Sequence, residues 1–334
     1  MFKSNLKLLL VSLVLIGLLA APAFASSHGV EDPVEIYFFP GGSPGGSFAT
    51  VVQRGAKEAA EILGDRVKVR YKWSDWNPQK MVNQFQEAMA ANPDGIAMMG
   101  HPGVEALKPF IEKAVEEKGI VVTSQNVTLP ELEEKYKSKG FGYVGQELYP
   151  SGYTLGKAAA ERAGLEEGDK ALVWGLKSEP TRGQRTKGAI DALKDKGIEV
   201  DYIEISSEVD ADASAGIPVI TGYLQSNPDC ELVVTDHGAL TATQEQYFKS
   251  AGLDPDEIYG AGFDLSPATV RAIETGYTDL VLDQQPFLQG FLPIFQIYLS
   301  SKYNFSGLHI KTGAGLVHAG NIDAIATLAE EGIR

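Results

Sequence analysis

The chain has 334 residues, 44 acidic and 29 basic, with a formal net charge of −15 and 44% apolar residues. That length supports two domains of ordinary size, and the acidic balance argues against nucleic acid and anionic membrane surfaces as partners. Cys230 is the single cysteine, which excludes an intrachain disulfide and leaves the fold to its core.

Lys3 and Lys7 precede an apolar run over residues 8–21, and Ala23-Phe24-Ala25 follows as an A-x-A cleavage signature. This pattern predicts a secretory signal peptide removed after Ala25. No later stretch approaches ~20 uninterrupted apolar residues, so the mature chain is expected to be exported without membrane insertion.

Residues 34–39 form a short apolar run rich in β-branched and aromatic side chains, which predicts a strand. The loop 40–46 holds four glycines and two prolines, which stop both helix and strand. Ser47 can cap a helix, along which Phe48, Val51, Val52, Ala56, Ala59, Ala60 and Leu63 recur at helical spacing, and Gly64 ends the run. Strand, loose loop and amphipathic helix make the first half of a βαβ unit. Three more strands are predicted at 67–71, 95–99 and 120–123, with helices between them. Their exit loops carry Trp73 and Trp76, then Gly100-His101-Pro102, then Gln125 and Asn126. This alternation argues for a parallel sheet covered on both faces.

The charged segment 128–140 is expected to be a first passage toward a second domain. The pattern then restarts with strands at 141–144, 170–174, 200–205, 232–235, 258–263 and 280–282, again separated by helices. Ligands in parallel α/β sheets bind outside the carboxyl ends of the strands. The groups at those ends are therefore the candidate binding residues: Phe48, Trp73, Trp76, Gln125, Asn126, Trp174, Arg185, Asp236, His237, Asp264 and Gln284. Aromatic faces can stack on the C–H faces of sugar rings, and amides, Arg and Asp can satisfy hydroxyls.

Other chemistry finds little support. The glycine loop 41–47 lacks the lysine of a phosphate-binding P-loop. No G-x-S-x-G nucleophile motif occurs, and the five histidines show no zinc spacing. Asp210-x-Asp212-x-Ser214 has Ala215 where a calcium loop needs glycine. An enzyme reading survives in Asp236 and Asp264, which end neighbouring predicted strands and could act as an acid/base pair on a glycoside.

Seven stretches, FATVVQRGAKEAAEILG, NPDGIAMMGHP, KGIVVTSQNV, RGQRTKGAIDAL, NPDCELVVTDHGAL, YGAGFDLSPATVRAIETG and LVLDQQP, occur in an order and spacing that resemble the type 1 periplasmic substrate-binding proteins of ABC transporters, the ribose/xylose/galactose-binding group. The resemblance covers nearly all of the mature chain. It implies an α/β fold of two Rossmann-like three-layer domains joined by a three-crossover hinge near residues 127–140, 284–287 and 311–314. The lobes would comprise 33–138 plus 286–312, and 139–285 plus 313–334. It also implies a periplasmic receptor that binds a monosaccharide between the lobes and delivers it to a membrane permease driven by a separate ATPase, with no cofactor and no reaction of its own. It places Arg185 at a sugar-contacting position, and Asp236 or His237, Asp264 and Gln284 at others. This chain has Gln125-Asn126 where many sugar binders of the group carry Asp-Arg. The tryptophans favour a pyranose such as xylose or glucose. A receptor of the same fold for a signal molecule or a nucleoside is the alternative.

Overall fold

The computed structural model describes residues 32–313 and 315–334, so the expected leader lies outside the described residues. The chain begins as β1 (Val34–Gly41), α1 (Ser47–Leu63), β2 (Val67–Trp73), α2 (Pro78–Ala90), β3 (Gly95–Met99), α3 (Gly103–Glu117), β4 (Val121–Gln125), α4 (Pro130–Tyr136) and β5 (Gly142–Gly145). It continues with α5 (Leu148–Arg162), β6 (Lys170–Gly175), α6 (Gln184–Asp195), β7 (Glu199–Glu204), α7 (Ser207–Ala211), α8 (Ile217–Ser226) and β8 (Cys230–Thr235). Then follow α9 (Gly238–Ala251), β9 (Tyr259–Phe263), α10 (Pro267–Glu274), β10 (Leu280–Asp283), α11 (Pro286–Tyr303), β11 (His309–Lys311), β12 (Gly315–Val317) and α12 (Ala326–Glu330).

The strands form two six-stranded sheets, ordered β11-β5-β4-β3-β1-β2 and β12-β10-β9-β8-β6-β7. Every pairing is parallel except that of β12 with β10. Central strands such as β3 and β4 are buried along their whole length, as a parallel sheet with helices on both faces requires. The two lobes are thus both three-layer α/β units, and no described helix is long and apolar enough to cross a membrane.

The second array starts one strand later than the sequence suggests. Residues 142–145 pair with β4, Thr123 opposite Gly142, and so belong to the first sheet. The segment 128–140 contains α4, not a passage between lobes. Alternation alone does not say which sheet a strand joins, and Phe141, fully buried against the first core, decides it here. The chain therefore first crosses at Gln146-Glu147, between β5 and α5. It returns at Gln284-Gln285, before α11 packs on β1, β3, β4 and β5, and crosses last between β11 and β12.

A buried amide network ties these crossings together. Asn126 Nδ2 donates to Gln284 Oε1 at 2.9 Å and to Gln289 Oε1 at 3.1 Å. Gln289 Nε2 donates to the Gln284 carbonyl at 3.1 Å and to Thr312 Oγ1 at 3.2 Å. Tyr143 Oη lies 3.0 Å from the Asn126 carbonyl and donates to the Gln146 carbonyl at 2.6 Å. Buried amides left unpaired would be costly, so this network fixes the geometry of the hinge.

Candidate ligand cleft between the lobes

The carboxyl ends of both sheets face each other, and between them lies a cavity of about 40 Å³, measured where a water centre can sit. Phe48, Trp76, His101 and Asn126 line it from the first lobe. Leu176, Glu179, Arg182, Arg185, Asp210, His237, Gly238, Asp264 and Gln284 line it from the second lobe and the second crossing.

The first lobe supplies an aromatic wall. Trp76 sits in a left-handed turn after β2 (φ 54°), and its indole is tilted against Phe48 at 5.9 Å and His101 at 5.2 Å between ring centroids. Gly41 and Gly42 leave space for that indole: a Cβ on Gly41 would lie 2.4 Å from it. Burial and the positive charges of Arg182 and Arg185 push the His101 imidazole down to about 3, so it stays neutral at any ordinary pH. Its Nδ1 is buried with no partner among the described residues.

The second lobe supplies the charges. Arg185 opens α6, which lies almost on top of α5. A Cβ on Gly152 would sit 1.9 Å from the Arg185 carbonyl, and one on Gly188 would sit 2.2 Å from the Tyr149 carbonyl, so two glycines allow this approach. The Arg185 guanidinium stacks on Phe263 at 4.0 Å from the ring centroid. Its Nε donates to Asp236 Oδ1 at 2.5 Å and its Nη2 to the Asp236 carbonyl at 2.7 Å, leaving Nη1 buried and unpartnered. Arg182 grips the same residue, with Nη1 3.1 Å from Asp236 Oδ2 and Nη2 2.6 Å from its carbonyl. The Thr186 hydroxyl also donates to that carboxylate. Burial alone would raise the Asp236 carboxyl, but the two arginines hold it below the usual carboxylate range.

Asp264 follows β9 with φ 70°, a conformation tolerated by aspartate better than by most side chains. Burial pushes its carboxyl up to about 6 against the opposing pull of Arg185, and its Oδ1 has no partner. His237 caps α9. Its Nδ1 accepts the Ala239 N–H at 3.2 Å, so the neutral ring carries its proton on Nε2, which lies 3.3 Å from Asp210 Oδ1.

Of the eleven residues proposed from the sequence, seven line the cavity: Phe48, Trp76, Asn126, Arg185, His237, Asp264 and Gln284. Four do not. Trp174 is 1% exposed and packs on Tyr247 in the core of the second lobe. Gln125 donates to the Phe39 carbonyl at 2.7 Å and joins β4 to β1. Trp73 ends β2 opposite Gly41, off the cavity wall. Asp236 stands behind the arginines and positions them. Sequence reading missed Arg182, whose spacing three residues before Arg185 was the available signal. It also passed over His101, Leu176, Glu179 and Asp210, which lie on exit loops or the short α7.

The chain belongs to the periplasmic binding protein domain family, whose model matches residues 36–300. It is 27% identical over 293 residues to the xylose/arabinose-binding protein XylF of Sulfolobus acidocaldarius, covering 82% of this chain and 69% of that one. A carbohydrate transporter from Acidothermus cellulolyticus 11B, solved in complex with myo-inositol, superposes with a TM-score of 0.75 at 26% identity, covering 90% of this chain and 100% of that one. The solute-binding protein of an ABC transporter from Agrobacterium vitis, solved with bound D-fucose, reaches a TM-score of 0.77 at 19% identity, covering 89% and 99%, and supports the fold.

Proposed function

We propose that this protein is an exported receptor that holds one neutral monosaccharide, such as xylose or glucose, in the cavity between its lobes. The observation that carries this reading is the convergence of four buried, unpartnered polar atoms on that cavity: Arg185 Nη1, Asp264 Oδ1 and His101 Nδ1 inside it, and Glu179 Oε2 on its outer wall. Each costs stability until a ligand pairs with it, and hydroxyls can both donate and accept. The aromatic wall of Trp76 and Phe48 suits the C–H face of a ring. Charges of both signs line the cavity, Arg182 and Arg185 against Asp264, Glu179 and Asp210 with Asp236 behind the arginines, and this mixture suits an uncharged ligand. XylF is named for binding xylose and arabinose, and the Acidothermus neighbour was solved with myo-inositol; both ligand types are neutral polyhydroxy molecules.

In this reading the receptor closes on its ligand, docks on a membrane permease driven by a separate ATPase, and performs no reaction. Both Asp236 oxygens are held by Arg182, Arg185 and Thr186, so that carboxylate is unsuited to serve as nucleophile or base beside Asp264. The leader would be removed after Ala25, which N-terminal sequencing of exported protein tests. The decisive experiment is a thermal-shift screen of sugars followed by calorimetric titration, since a ligand of the folded state raises its stability by mass action. A pentose or hexose should bind, and Arg185→Ala should weaken it by roughly 30- to 1000-fold while Asp236 remains paired with Arg182. A protein that ignores every sugar, or an Arg185→Ala variant with native affinity, refutes the assignment.

A further inference from the structure

The cleft has a second compartment at its mouth. Trp76, Leu176, Glu179 and Asp210 line the inner cavity and also one wall of a neighbouring pocket of about 450 Å³. The other walls come from residues 77–78 after β2 and residues 204–211 after β7, the strands furthest from the hinge in their sheets. The outer compartment is therefore where a ligand would enter.

The partition carries an unused acceptor. Glu179 Oε2 is buried with no hydrogen-bond partner. The other carboxylates here are engaged: Asp75 with Lys80 and Ser43, Glu204 with Ser178 and Tyr202, and Asp210 with His237. A buried acceptor left alone costs free energy that a donating hydroxyl would recover. Trp76 adds an aromatic ring to the same partition. The inner cavity has no room for a second ring, whereas the outer one lies within the ordinary range of small-molecule sites.

We propose that the outer compartment is a subsite for a group joined glycosidically to the inner sugar, so that glycosides and disaccharides are ligands as well as free sugars. This rests on the receptor reading above. In it, a ring in the inner cavity uses Arg185, Asp264 and His101, and the substituent passes Glu179 to lie in the mouth.

The test is calorimetry on the mature chain with D-xylose, L-arabinose, D-glucose and D-galactose, each also as its α- and β-4-nitrophenyl glycoside. One anomer of the best-bound sugar's glycoside should bind within about tenfold of the free sugar. Ala211→Trp, which fills the outer pocket from an exposed helical position, should weaken that glycoside by at least about tenfold and leave the free sugar within about twofold. Glu179→Gln should weaken the glycoside more than the sugar. Free sugar that binds while both its glycosides fail overturns the subsite and leaves the receptor reading intact. Equal effects of Ala211→Trp on both ligands, with an unchanged melting curve, also overturn it. Failure of every sugar and glycoside removes the receptor reading and the subsite together.

Discussion

Asp236→Asn removes one charge from the most tightly held cluster of the second lobe without changing its shape. The carboxylate lies 1% exposed and receives Arg182 Nη1, Arg185 Nε and the Thr186 hydroxyl. An amide still offers one oxygen, but its NH₂ group must face a guanidinium donor. Two buried positive charges are then left without their counter-charge. Breaking a buried ion pair from one side costs about 3–5 kcal/mol, because the remaining charge is stranded. For a protein of this size that lowers Tm by on the order of 5–10 °C. Arg185 also loses the anchor of its Nε, so sugar affinity should fall by about 2 kcal/mol, roughly 30-fold in Kd. Differential scanning calorimetry and titration with the best sugar from the screen read the two effects separately. A variant that melts within about 2 °C of the parent and binds as well would refute the positioning role of Asp236.

Asp264 predicts opposite pH dependences for stability and binding. Its folded-state value of about 6 lies above the unfolded carboxylate value, so the free protein gains stability as pH falls through 6. Sugar affinity should fall over the same window, since the ionised carboxylate is the better acceptor. Asp279, also raised to about 6, shares the stability window, so the comparison is with Asp264→Asn, which should flatten the affinity profile; a pH-independent affinity in the parent would count against Asp264 as a ligand group. Trp76→Phe should abolish most of the ligand-induced change in tryptophan emission. Trp174→Ala should instead cost about 3–5 kcal/mol of stability and leave Kd unchanged, and loss of affinity there would return Trp174 to the site. Small-angle scattering should give a larger radius of gyration without sugar than with it, and identical curves would mean a rigid cleft.

Much of the fold was legible because parallel strands buried on both faces read as apolar runs separated by amphipathic helices. Membership of a sheet was not, since β5 looks like any other strand and its register partner in β4, Thr123, lies nineteen residues before Gly142 with α4 between them. Of the eleven residues chosen by the rule that ligands meet strand ends, seven line the cavity, from Phe48 to Gln284. The rule failed for Trp73 and Trp174 because both still belong to their strands, whose side chains point onto the covered faces of the sheet and not out of its end. It failed for Asp236 because a charge at a strand end can serve another side chain as readily as a ligand. Glu179 escaped because position in a long loop carries no periodicity to read, and Asp210 because the five-residue α7 is too short to show any.

The three crossings lie toward one edge of the sheets, and that placement turns the lobes into levers. From β5 to β2, and from β10 to β7, there are four strand spacings, or about 19 Å at ~4.8 Å each. Parting the mouth by a single spacing thus needs a rotation of only about 15°. Shared among three short connections, this asks a few degrees of each backbone torsion, so the amide network around Asn126 and Gln289 can act as a nearly fixed pivot. The inner cavity sits between pivot and mouth and opens less than the rim does. A ring arriving at the outer compartment would therefore find space before the inner contacts have fully separated, and the mouth would move first and farthest in every cycle of uptake and release.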